Sequence, residues 1–167
     1  MSPPIKTTPA AFSGMTAYNI SKYGMTMVAL GVAGEYADAG ITGNTLWPAT
    51  VIESYASINF ELGERGTWRK ATILADCVMG IIAQDDEFTG HMLIDDEFLR
   101  YIGYEDEDFV QYRCDPDVEP PRLLAEAEDE ADAAEVAERR AFVKRGDVRA
   151  LATDKAQTGG PLGKAKL

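Results

Sequence analysis

Between Met15 and Asp95 two stretches with a helical apolar period alternate with two short apolar runs, and that order confines the chain to an α/β arrangement. The pattern predicts a helix from Met15 or Thr16 to Ala39, with Met25, Met27, Val28, Leu30, Val32 and Ala33 as its apolar positions and Gly40 as its stop. Ile41 to Trp47 follows as a short strand closed by Pro48. A second helix is predicted from Lys70 to Ala83, where Ile73, Leu74, Cys77, Val78, Ile81 and Ile82 recur at helical spacing. Phe88 to Asp95 then reads as a turn feeding a buried strand. Helix, strand, helix, strand suits parallel strands joined by crossover helices. Two parallel strands alone leave faces and edges uncovered, so a larger sheet is expected around them.

The flanks differ in character. Pro3, Pro4, Pro9 and Gly14 make residues 1 to 14 an extended loop in this reading. Residues 49 to 68 are irregular with some helical pattern. The α/β portion is expected to occupy residues 1 to 112, and Pro116, Pro120 and Pro121 mark residues 113 to 124 as a linker. Residues 125 to 146 read as a solvated Ala/Glu helix with acids early and Arg139, Arg140, Lys144 and Arg145 late; it is either loosely attached or a partner-binding element. The remaining residues, 147 to 167, read as a disordered tail.

Charge and rare residues exclude several functions. A formal net charge of −12 leaves no basic stripe to neutralise phosphates, which argues against nucleic-acid binding. His91 is the only histidine, and Cys77 and Cys114 belong to no paired motif, so no metal site, disulfide scaffold or Ser-His-Asp triad is expected. No apolar run reaches the length of a membrane span, and the N-terminus lacks a signal-peptide layout. A reducing compartment follows as the default, the cytoplasm first among them.

Tyr18 and Lys22 carry the chemistry. They stand four residues apart on a predicted helix and so share one face. A nearby cation favours phenolate, and on that ground Lys22 is expected to lower the Tyr18 pKa and make it a general acid/base at neutral pH. The apolar run that continues this helix is a core or subunit-contact face more readily than a cofactor box.

With the Tyr18/Lys22 helix, the Asn44-to-Pro48 strand end and the Thr89-Gly90 to Asp95 strand in this order, the chain resembles the second half of a short-chain dehydrogenase/reductase. Ser2-Pro3-Pro4, Ala17-Tyr18, Lys22-Tyr23-Gly24-Met25 and Leu46-Trp47-Pro48 with Thr50 resemble the hydroxysteroid dehydrogenase-like subfamily. So does the stretch from Leu99 to Pro121. The resemblance implies the C-terminal half of a Rossmann-type doubly wound parallel sheet, about two strands with covering helices. It implies hydride exchange between NAD or NADP and a small carbonyl or alcohol substrate. Tyr18 would then donate or accept the proton and Lys22 would hold the nicotinamide ribose. Pro48, Ile52 and Ser54 would meet the nicotinamide end, and residues 53 to 68 would cover the substrate.

Departures accompany the likeness. Pro48-Ala49 stands where the family has Pro-Gly, with one extra residue before Ile52-Glu53-Ser54. The place of the family's active-site serine falls near Pro3, which leaves Ser2 as its substitute only with a shifted register. No Gly-rich turn follows a strand, the feature that would receive a pyrophosphate; Gly24, Gly31 and Gly34 lie inside the Tyr18 helix, where close helix packing is the expected use. The chain is therefore expected to be an N-terminally truncated oxidoreductase, inactive alone, forming a homodimer or homo-oligomer through the Tyr18 helix. The alternative is a non-catalytic fragment that pairs with a full-length relative.

Overall fold

The computed structural model describes residues 9 to 124. These fall in two compact units, one of residues 9–49 and 71–112, the other of residues 50–70 and 113–124. The expected helix at 125 to 146 and the tail at 147 to 167 lie outside the described residues, as does Ser2.

The first unit opens with a single turn, α1 (Pro9–Phe12), inside the segment expected to be an extended loop. Pro9 supplies the reason: its fixed φ suits the first position of a helix, where its missing N–H is no loss. The long helix α2 (Thr16–Tyr36) follows, then a 3₁₀ turn over Ala37–Ala39. Gly40 ends both with φ 68°, its N–H donating to the Ala37 carbonyl at 3.0 Å, the left-handed stop expected there.

Strand β1 (Thr45–Trp47) is shorter than the predicted run from Ile41. Gly43 explains the late start: a Cβ placed on it would stand 2.2 Å from the Ala29 carbonyl oxygen of α2. The chain must pass against the helix backbone before it can extend into a sheet. Asn44 then sets the register, donating from Nδ2 to the Phe88 carbonyl (2.7 Å) and accepting from the His91 N–H (2.9 Å). With that clamp made, β1 pairs in parallel with β2 (Met92–Ile94), Thr45 opposite Met92 and Trp47 opposite Ile94. The two-stranded sheet has the order β1-β2.

Helix α4 (Thr72–Ile82) crosses between the strands and buries Ile73 and Cys77. Gly80 allows α5 (Asp95–Tyr101) to lie close, since a Cβ there would be 2.8 Å from the Ile102 Cδ1 and 3.0 Å from the Phe98 ring. Sequence periodicity did not foresee α5, because it begins on the residue after β2 with no intervening turn signal. A 3₁₀ segment over Asp106–Tyr112 closes the unit, with Phe109 and Tyr112 buried and the Tyr112 hydroxyl donating to Asp76 of α4 at 2.6 Å.

In the second unit Ser54 caps a short helix, α3 (Tyr55–Asn59). Ile52, Arg69 and Arg113 meet in isolated bridges, parallel and then antiparallel. Trp68 is buried and its indole N–H donates to the Leu62 carbonyl at 3.0 Å. The guanidinium groups of Arg69 and Arg113 both reach the Glu119 carboxylate.

Cys77 and Tyr112 tie the stability of the first unit to alkaline pH. Burial, and after it the charges of Asp95, Asp76 and Asp96, push the Cys77 thiol up to about 12 from an ordinary 9.0. Burial and the hydrogen bond to Asp76 likewise push the Tyr112 phenol up from 10.0. In the unfolded chain both groups ionise first, so the unfolded state holds fewer protons once the pH passes 9. The stabilisation is complete below pH 9 and is lost as pH rises from 9 towards 12. Urea midpoints are therefore expected to be flat from pH 7 to 8.5 and to fall from pH 9 to 11, less steeply in Cys77→Ala. A midpoint that stays level to pH 11 would contradict the burial of both groups.

Candidate active site

Tyr18 and Lys22 lie one turn apart in the first part of α2, where Ala17 and Ser21 keep the surroundings small. Ser21 folds its hydroxyl back, donating to the Tyr18 carbonyl at 2.7 Å. The Lys22 ammonium sits over the Tyr18 ring, 5.3 Å from its centroid. A cation over the face of a half-exposed ring is worth about 0.5–1 kcal/mol through the ring quadrupole. Tyr18 retains 46% of its surface.

The expected lowering of the Tyr18 pKa is reversed here. Burial of part of the ring raises it above 10.0, because the phenolate loses more hydration than the phenol. The cation lies over the ring, and burial of the phenol sets the direction of the shift. At neutral pH the Tyr18 phenol thus carries its proton. Its conjugate base forms only under alkaline conditions.

Pro48 is buried at the end of β1, in the same unit as Tyr18. The residue after it shows how this end is held: the Ala49 N–H donates to the Asp95 Oδ1 at 2.8 Å, and the same oxygen accepts the Asp96 N–H at 2.8 Å. Asp95 is fully buried, and the Cys77 thiol donates to its backbone carbonyl at 3.4 Å. One carboxylate oxygen thus binds the exit of β1 to the first turn of α5. Asp95 was legible as the end of an apolar strand; its grip on Ala49, 46 residues away, was not.

Removing that carboxylate should cost more than a surface change. Asp95→Ala strands the Ala49 amide, which is 0% exposed, without its acceptor. An orphaned buried donor costs about 1–3 kcal/mol and loss of the helix-start contact about 1 more. Asp95→Asn keeps an acceptor and should lose less. Urea unfolding checks both, and equal midpoints for Asp95→Ala and the parent chain would show that the bond carries nothing.

Ile52 and Ser54 belong to the second unit. Ile52 is buried and bridges Arg69, while its carbonyl accepts from the Ser57 hydroxyl. Ser54 uses its hydroxyl as a helix cap, accepting the Ser57 N–H at 3.1 Å and meeting the Ser57 hydroxyl at 2.7 Å. Arg65 pairs with Glu53 at 2.6 Å in the same segment. The structure thus sets Tyr18 beside Lys22, buries Pro48 in their unit, and engages Ser54 locally. Among the described residues no group of three His, Cys, Asp or Glu side chains could hold a metal ion, and no helix is long and apolar enough to cross a membrane.

No family model matches the chain. Hydroxysteroid dehydrogenase-like protein 2 of Danio rerio is 40% identical over 117 residues, a match that takes in 70% of this chain and 28% of the relative. A crystal structure of a short chain dehydrogenase from Mycobacterium thermoresistibile superposes with a TM-score of 0.66 at 34% identity, over 76% of this chain and 45% of that one. A solved chain from Xanthomonas campestris gives a TM-score of 0.68 at 32% identity, over 77% and 47% of the two chains. The described α/β fold with its two parallel strands therefore matches part of solved short-chain dehydrogenases, and the chain spans less than a third of the length of the zebrafish relative.

Proposed function

We propose, from the partial homology of this chain to hydroxysteroid dehydrogenase-like protein 2 and to short-chain dehydrogenases, that it supplies the proton-transfer and substrate-side portion of an NAD(P)-dependent oxidoreductase. One observation carries this reading: Tyr18 and Lys22 stand in contact on one helix, with the phenol half exposed and protonated at neutral pH. A nicotinamide cofactor, when bound, would supply the hydride. The chain's own residues would do the rest. Tyr18 would give its proton to the oxygen of a carbonyl substrate, or take one from an alcohol at alkaline pH. Lys22 would hold a ribose hydroxyl from the same face of α2, and buried Pro48 would stiffen the segment beside it. Ile52 fits an apolar contact only at its edge, since it is buried, and the Ser54 hydroxyl would have to leave its helix cap to donate to a carboxamide. Ser2 remains the candidate for the serine of such a site.

The test is to join residues 1 to 167 to the nucleotide-binding half of the Mycobacterium thermoresistibile dehydrogenase and to follow NADH or NADPH absorbance with a panel of aldehydes and ketones. Saturable carbonyl-dependent oxidation at pH 7 is expected. A folded fusion that binds NADPH and oxidises none of it would count against the assignment.

The exposed face of α2 favours a second use of the chain. Ile20, Gly24, Met27, Gly31 and Gly34 recur at spacings of four and three, the seam that a packed helix pair needs. Ile20 and Met27 are exposed, and among the described residues nothing stands within 4 Å of where a Cβ would be on the three glycines. Among the described residues no close packing partner reaches those glycines. Pairing of this face with a second copy or a full-length relative would cover it. Co-purification with such a relative supports this reading, and a strictly monomeric chain at high concentration opposes it.

A further inference from the structure

We infer that Glu119 is a positioning residue for the stretch from Ile52 to Ser54, acting through the buried Arg69; the inference rests on the reading of that stretch as the part that meets the nicotinamide end. All the groups concerned lie in the second unit. Three short runs of chain meet there, and Arg69 belongs to the middle one. Its N–H donates to the Val51 carbonyl at 3.0 Å and its carbonyl accepts the Glu53 N–H at 2.8 Å, a parallel bridge centred on Ile52. On the other side Arg69 bridges Arg113 in the antiparallel sense, and the Cys114 N–H donates to the Trp68 carbonyl at 3.0 Å. Residues 51–53 are thus fastened to 113–114 through a single residue.

Isolated bridges are a weak tie between strands, so the side chains decide how firmly the middle run is held. The Arg69 side chain is 2% exposed, and its guanidinium donates to Oε1 of Glu119 at 3.0 Å. The other oxygen of Glu119 accepts from Nη2 of Arg113, whose Nη1 donates to the Pro116 carbonyl at 3.0 Å. One carboxylate therefore spans the middle run and the far one. Pro120, the residue after Glu119, is fully buried and has a fixed φ, which seats the backbone that carries the carboxylate. A guanidinium as deep as that of Arg69 relies on its counter-charges, and withdrawing one makes its burial costly. Without the Glu119 charge the Arg69 side chain is drawn toward water. Its backbone, which holds Val51 and Glu53, is displaced with it.

Hydrogen exchange on the full chain reads this positioning directly. In Glu119→Gln, which keeps the shape and removes the charge, the Glu53 and Arg69 amides are expected to exchange about tenfold faster or more, while the amides of α4 in the first unit keep their rates. Arg113→Gln cuts one arm and leaves the pair of Arg69 with Glu119, so a smaller rise at the same two amides is expected; it carries the test if Glu119→Gln fails to fold. In the fused enzyme Glu119→Gln should weaken NADPH several-fold and leave 2′,5′-ADP, which lacks the nicotinamide end, bound as before. A general loss of structure would weaken both nucleotides alike. A fused parent that binds NADPH without turnover counts against proton transfer by Tyr18, while the two affinities still judge Glu119. Unchanged exchange at Glu53 and Arg69, an unaltered NADPH affinity, or equal weakening of both nucleotides would overturn the positioning role.

Discussion

Gly43→Ala is expected to destabilise the chain by about 3 kcal/mol or more, the largest effect of any single methyl group in the first unit. The added Cβ would lie 2.2 Å from the Ala29 carbonyl oxygen and 3.0 Å from the Ala33 nitrogen, both backbone atoms of α2. Neither can rotate away as a side-chain tip could. Gly43 cannot retreat either, because its N–H donates to the Thr89 hydroxyl at 2.9 Å and its carbonyl accepts the Gly90 N–H at 2.9 Å. Relief would break those bonds or push α2 off the sheet. Gly31→Ala is the control of opposite sign: in an open helical position the methyl meets nothing among the described residues, and lower unfolded-chain entropy should stabilise by about 0.5–1 kcal/mol. Urea unfolding of the two variants decides it, and a Gly43→Ala cost below about 1 kcal/mol would show that the segment is not seated as described.

Tyr18→Phe carries the largest expected effect on activity. In the fused enzyme the change should lower carbonyl turnover by about 10²- to 10⁴-fold, the usual worth of a positioned general acid. That corresponds to roughly 3–5 kcal/mol of barrier, with binding of NADPH left intact. The ring, its stacking under Lys22 and its burial all survive the substitution, so the loss isolates the proton. Because burial raises the Tyr18 pKa, reduction should hold its rate through neutral pH and decline only as pH passes 10, where the phenol begins to ionise. Oxidation of the corresponding alcohol should rise over that same interval. Tyr36→Phe, exposed at the far end of α2, should change neither. Turnover in Tyr18→Phe within a factor of two of the parent would remove Tyr18 from the reaction.

The elements that strong periodicity marked were the ones the sequence disclosed. Helices α2 and α4 came within a few residues of their observed ends, since each pairs a long apolar pattern with a clear stop, and Gly40 ended the first as its left-handed tolerance requires. The parallel pairing of the strands around Leu46 and Leu93 was also legible, because a helix between two short strands leaves few other connections. What escaped depends on distant partners. Gly43 shortens β1 through contact with Ala29, Asp95 holds Ala49, and α5 starts without a turn; none leaves a local mark. At the site, spacing alone set Tyr18 beside Lys22. It could not give the pKa direction, because that depends on where the ammonium lies relative to ring and oxygen and on how much water the phenol loses.

The clamp of Asn44 on the 88–91 turn has a kinetic consequence. Its bond to the His91 amide joins residues 47 apart, and the whole strand register rests on contacts of that span. Such closures are slow, since a long loop must be drawn in before any ladder bond repays it. During that delay the β1 backbone has no neighbour to saturate it, and a second nascent chain can dock there first. Yield on refolding should therefore fall as protein concentration rises, and loss of the Asn44 side chain should widen that window by lengthening the search.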